Sequence, residues 1–142
     1  MIDQITVFLE NDKGRLASLC RCVGNANVNM AALSIADTTE YGLARIICSD
    51  SGRARAALEE AGYRVIVTKV IAIAVPHRPG GLADLLDELD RLDVNIEYGY
   101  CFSHQDDAAV MAIKIADPAR AAEAAWTLEA AGYRVFEQTD LE

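Results

Sequence analysis

The stretch ALEEAGYRV, Ala57 to Val65, returns almost letter for letter as TLEAAGYRV, Thr127 to Val135, 70 residues further on. Self-similarity at a fixed spacing marks a duplicated structural unit, and this spacing is too long for a solenoid repeat. It suits one small domain. In the first copy Ala54, Ala57, Leu58 and Ala61 recur at helical spacing, and Gly62 supplies a left-handed stop. The run YRVIV that follows is rich in β-branched residues and reads as a strand. Helix, stop, strand is thus written twice.

Upstream of the first copy, Ile2 to Leu9 (IDQITVFL) alternates Ile5, Val7 and Leu9 against Thr6 and Phe8, the pattern of a strand. ENDKG breaks it with polar residues and a glycine. Leu16, Leu19, Cys20 and Val23 then form a helical stripe that GNAN ends. VNMAALSIA (28–36) and LARIICS (43–49) read as strands joined by a turn at DTTEYG. The order is β-α-β-β-α-β.

The second half repeats it. VIAIAV (70–75) is a strand, PHRPGG a loop, and Leu82, Leu85, Leu86 and Leu89 a helical stripe, with Asp84, Asp87, Glu88 and Asp90 on the wet side. VNIEYGYCF (94–102) and AAVMAIKIA (108–116) are strands joined by SHQDD, and YRVFEQ (133–138) closes the unit. Between them Asp117 caps a helix with Pro118 at its first position. NVNM and DVNI lie 66 apart, so this helix is about one turn longer than its counterpart. Right-handed crossovers give each unit an antiparallel sheet of order 4-1-3-2 with both helices on one face. The expected class is α+β: two ferredoxin-like sandwiches, residues 1–68 and 69–142. Only Thr68 and Lys69 separate the fourth strand from the fifth, with no turn residue, so that segment should run nearly straight through.

Composition sets the outer bounds. An apolar share of 52% with 25% charged residues is globular. A lone unit of this size is marginal, which makes two copies packed side by side useful. The net charge of −9 and the lack of a basic cluster argue against nucleic acid. The longest apolar run is far too short to span a bilayer, and no charged N-region with an apolar core precedes the first strand. A cytoplasmic location is expected. Cys20, Cys22, Cys48 and Cys101 show no Cys-x-x-Cys pair and read as buried free thiols; no metal or other cofactor is expected.

The residues ENDKGRLASL…NVNMAAL, and still more HRPGGLADLLDELDRLDVNI, resemble an ACT domain. Both halves carry the pattern, so the chain resembles a stand-alone tandem ACT protein of the amino-acid-binding regulatory type. The resemblance implies a ligand held where the loop after a unit's first strand meets the neighbouring unit, with paired sheets aligned edge to edge into eight strands. By resemblance the site draws on Asn11, Asp12, Lys13, Gly14, Arg15, Leu16, Asn29 and Met30 in the first unit. In the second it draws on His77, Arg78, Gly80, Gly81, Leu82, Asn95 and Ile96. Leu9 stands where the serine-sensing members carry a histidine.

The chemistry of these positions is compatible with that implication. Free N–H groups at a helix start favour a carboxylate, and Asn offers donor and acceptor to a zwitterion. Each has a plainer reading: glycines that permit a turn, asparagines that cap a chain reversal, and His77 and His104 as solvated loop residues. Tyr98 and Tyr100 are candidates for an aromatic wall. The expected function is an amino-acid-binding regulatory protein. The alternative is an interaction subunit that docks onto a metabolic enzyme without binding a ligand; a homodimer fits either. No nucleophile–base set or phosphate loop points to catalysis.

Overall fold

The computed structural model describes residues 1–10, 13–37, 41–103 and 109–142. The chain divides into two compact units, Asp3–Thr68 with Leu141–Glu142, and Lys69–Asp140 with Met1–Ile2. The elements are β1 (Ile2–Glu10), α1 (Arg15–Asn25), β2 (Met30–Asp37), β3 (Tyr41–Cys48), α2 (Ser51–Glu60) and β4 (Arg64–Ala74). They continue with α3 (Gly81–Asp90), β5 (Ile96–Ser103), β6 (Ala109–Ile115), α4 (Pro118–Ala130), β7 (Val135–Phe136) and a short 3-10 helix (Gln138–Leu141). The first unit orders its strands β2-β3-β1-β4; in the second, β4 is followed by β6 and β5, and β7 pairs β4 on its other side. Each is the order expected from the sequence. β4 passes through Thr68 and Lys69 without a break.

The duplicated stretch turns out to be a helix-ending device. Gly62 and Gly132 have φ of 90° and 96°, a region closed to most side chains. Tyr63 N–H donates to Leu58 O and Gly62 N–H to Glu59 O, both at 3.0 Å; Tyr133 to Leu128 and Gly132 to Glu129 repeat both bonds at the same length. This Schellman pair satisfies the last helical carbonyls and aims the chain into the next strand. Leu58 and Leu128 anchor the helices, each fully buried. Full burial of such a side chain is worth about 1.5–3 kcal/mol. Each unit has its own core: Ile5, Val7, Leu19, Val23, Ile46 and Leu58 in the first, and Ile71, Ile73, Leu85, Leu89, Ile113 and Leu128 in the second.

Four expectations are corrected. The last strand is only two residues long, because Glu137 and Gln138 are polar and Asp140 Oδ2 accepts from the Glu137 N–H, curling the chain into the 3-10 turn. Only Cys48 is fully buried; Cys20 and Cys22 are half-buried and Cys101, on β5, is exposed. Leu16 is 37% exposed rather than part of the core stripe, which narrows to Leu19 and Val23. Ile96 and the tyrosines do not share a face: a register shift between Ile96 and Tyr98 turns Ile96 onto the helix-covered core and leaves Tyr98 and Tyr100 paired to Lys114 and Ala112. The turns expected at DTTEYG and SHQDD involve residues 38–40 and 104–108, His104 among them, which lie outside the described residues.

Candidate functional site

The second unit carries a cleft of about 690 Å³ where β4 ends and α3 begins. Val75 N–H bonds Ala109 O at 2.9 Å and holds the exit of the strand. Arg78 N–H then bonds Pro76 O at 2.9 Å and Gly81 N–H bonds Arg78 O at 3.0 Å, folding the loop tightly. Gly80 sits at φ 79° with open space beside it, so its glycine serves the backbone angle. Gly81 has a different reason: a Cβ there would overlap the carbonyl oxygen of Pro76. The loop packs directly on the helix start.

Val75, Pro76, Pro79, Leu82, Ala83, Leu86 and Ala109 make most of the lining, with His77 and Arg78 at its polar side. Asp84 in the first turn of α3 pairs with Arg78 at 2.5 Å, and both are about half exposed.

The four long helices start in two ways. Asp50 caps α2 by accepting from Arg53 N–H at 3.0 Å, and Asp117 caps α4 by accepting from Ala119 N–H at 2.9 Å. α1 and α3 begin at left-handed Gly14 and Gly80, and among the described residues no side chain caps either. In α3 the Gly81 N–H is taken by Arg78 O, which leaves the N–H groups of Leu82 and Ala83 as the first-turn donors, and the helix dipole adds partial positive charge there. Leu82 and Ala83, in the first turn of α3, line the large cleft.

A second cleft, about 210 Å³, lies at the equivalent end of the first unit. Phe8, Glu10, Arg15, Tyr41, Tyr63 and Arg64 line it. The Arg15 guanidinium carbon lies 5.0 Å from the Tyr63 ring centroid, and Arg64 stands 5.2 Å from that of Phe8. The Phe8 and Tyr41 rings are 5.9 Å apart. The Nε of Arg15 is buried and has no hydrogen-bond partner among the described residues.

Of the residues singled out in the sequence, His77, Arg78, Gly80 and Leu82 come together around the large cleft. Arg15 lines the smaller one. Lys13, Gly14 and Leu16 are exposed at the start of α1. Asn11 and Asp12 lie outside the described residues. Asn29 and Met30 are not brought to the loop of their own unit. Glu10 pairs with Tyr41, whereas Met30 pairs with Cys48 and Asn29 O accepts from Ser49 N–H, so the two sets sit at opposite ends of the strands. At about 3.3 Å per residue that is roughly 20 Å. Asn95 likewise lies apart from the Pro76–Leu82 loop, beside a cavity of about 130 Å³ that Asp93, Asp117 and Arg120 also line. The left-handed residues that reverse the chain are Asn27 and Asp93, two positions before the expected asparagines.

The sequence reading missed Pro76, Ala83 and Leu86 in the large cleft and the aromatic lining of the small one. The repeated GYRV carried the signal for the latter, since it brings Tyr63 and Arg64 to the same strand end. Among the described residues no group of three or more His, Cys, Asp or Glu is placed to hold a metal ion. No helix is long and apolar enough to cross a membrane.

The family described as the ACT domain pair matches residues 1–133. Among solved structures, a protein of Bacteroides thetaiotaomicron is 32% identical, with a TM-score of 0.88, over 99% of this chain and 94% of that one. The regulatory subunit of aspartate kinase from Thermus thermophilus shares the fold at 15% identity and a TM-score of 0.65, with 92% of each chain covered. Its Thermus flavus equivalent gives 17% and 0.60, with 91% of each covered. No curated protein matches the sequence. Two β-α-β-β-α-β units, each with a glycine-led loop into an uncapped helix, and a match over nearly the whole chain place this protein in the ACT domain pair family.

Proposed function

We propose that this ACT domain pair is a regulatory protein that binds a free amino acid at the helix starts following its β1 and β4 strands. One observation carries the reading: among the described residues α1 and α3, whose first turns line the two clefts, start without side-chain caps, while α2 and α4 are capped by aspartates. An uncapped first turn is a carboxylate site. In the second unit the carboxylate is taken by the N–H groups of Leu82 and Ala83, and the apolar wall of Pro76, Leu82 and Leu86 receives the side chain. Lys13, Gly14, Arg15 and Leu16 make the corresponding helix start in the first unit. The two ACT domains are assigned to residues 1–68 and 69–142. The fold neighbours from Thermus are regulatory subunits of aspartate kinase, which supports a regulatory role toward a metabolic enzyme.

Thermal denaturation of the full chain with each of the twenty amino acids tests this. A ligand at 100 times its dissociation constant adds about 2.7 kcal/mol. A shift with one chemical class of amino acid is expected; no shift with any removes the reading. That second outcome would favour a docking subunit without a ligand, for which the 72% exposure of Trp126 on α4 is the supporting observation.

A further inference from the structure

We infer that the first unit's cleft takes a dicarboxylic amino acid, and that the two units therefore differ in ligand class. This rests on the amino-acid-binding reading above and names the ligand of one of its two sites.

Unpaired positive charge distinguishes this cleft. The chain holds 22 acidic against 13 basic residues. Accordingly Arg53, Arg55, Arg78, Arg91 and Arg120 each pair with a carboxylate. Arg21 and Arg134 have no carboxylate partner among the described residues, and neither do Arg15 and Arg64, which alone of these line one cleft together. Instead both lie against rings, Arg15 on Tyr63 and Arg64 on Phe8. A guanidinium laid on a ring keeps its in-plane N–H fork free, the geometry that grips a carboxylate through two bonds. The Nε of Arg15 is moreover withdrawn from water with no acceptor among the described residues. Buried donors are nearly always satisfied, so this one marks where an acceptor belongs.

Glu10 adds a carboxylate at the rim. Two guanidinium groups and one carboxylate are the complement of two carboxylates and one ammonium. The volume, about 210 Å³, falls below the roughly 300–1,000 Å³ of drug-sized sites and suits a small metabolite. The second unit keeps only part of this set: Arg134, the counterpart of Arg64, lies 4.4 Å from the Phe136 ring centroid, but at the 66-residue offset Arg15 is replaced by Gly81 and Phe8 by Ala74. Its Arg78 is already neutralised by Asp84.

Isothermal titration of the full chain compares L-glutamate and L-aspartate with L-glutamine and L-asparagine, neutral isosteres of the same size. The acids should bind at least about tenfold more tightly than the amides, as expected for a charged hydrogen bond gained. Arg15→Gln should weaken the acids by about tenfold. Arg64→Gln should do the same, and because Arg64 is exposed it changes no core contact. Arg91→Gln, an exposed arginine paired with Glu88 and outside both clefts, should leave acid binding unaltered. Amides that match the acids overturn the inference, as does acid binding indifferent to both cleft arginine changes or weakened equally by Arg91→Gln. Failure of every amino acid to bind removes the broader reading instead.

Discussion

Gly81 stands so close to the carbonyl oxygen of Pro76 that no Cβ fits between them. The contact welds the cleft loop to the first residue of α3, and the residue's other neighbour, Gly80, needs glycine for its positive φ instead. The two glycines are therefore not interchangeable. Gly81→Ala should destabilise the second unit by about 1–3 kcal/mol through overpacking against backbone. Gly80→Ala should cost about 1–2 kcal/mol through the left-handed angle alone. Urea denaturation of both variants measures the costs. Ligand affinity separates them further, because only Gly81→Ala pushes the loop away from the helix.

Tyr63 donates its hydroxyl to Ser18 Oγ at 2.8 Å, joining the residue after the α2 stop to α1. Its ring also carries Arg15. Tyr63→Phe keeps the ring and removes the bond, so a loss of about 1 kcal/mol is expected. Tyr63→Ala removes the burial as well and should cost about 3–5 kcal/mol. Chemical denaturation that ranks the two equally would contradict the assignment.

The fold was legible because its punctuation is local. Gly62 and Gly132 end helices within the very stretch that repeats, and Asp117 followed by Pro118 announces α4 without any tertiary knowledge. Strand extent was less legible: alternation does not reveal that Glu137 folds back onto Asp140, nor that a bulge before Tyr98 reverses which face Ile96 meets. The loop from Pro76 to Leu82 could be read from its prolines and glycines. The separation of Asn29 from Gly14 could not, because it follows from strand register. Nor could the stacking of Arg15 on Tyr63, a contact between residues far apart in the chain.

Trp126 lies on α4 between the buried Ala124 and Leu128 yet is 72% exposed. It is the chain's single tryptophan, which makes its fluorescence a clean reporter. Native emission should be freely quenched by acrylamide and change little on unfolding. Trp126→Ala should alter stability by no more than about 0.5 kcal/mol, as for an ordinary surface site. Strongly protected emission would mean that a second molecule covers this face.

Cys48 and Cys101 should differ in both reactivity and pH response. Cys48 closes β3 in the first core, and burial pushes its thiol up to about 11, with Asp50 and Asp3 adding repulsion. Cys101 is exposed. A thiol reagent at neutral pH should therefore label Cys101 quickly and Cys48 only after unfolding, which peptide mapping by mass spectrometry resolves. The linkage has a definite sign. Between pH 9 and about 11 the unfolded chain loses the Cys48 proton while the folded chain keeps it. Stability must then fall as pH rises through that window and be unaffected by this group below it. Urea midpoints at pH 8.5, 9.5 and 10.5 (values chosen to span the window) should decline for the native chain, and less steeply for Cys48→Ala. Equal slopes in the two proteins would show that the thiol titrates in the folded state as it does in the open chain.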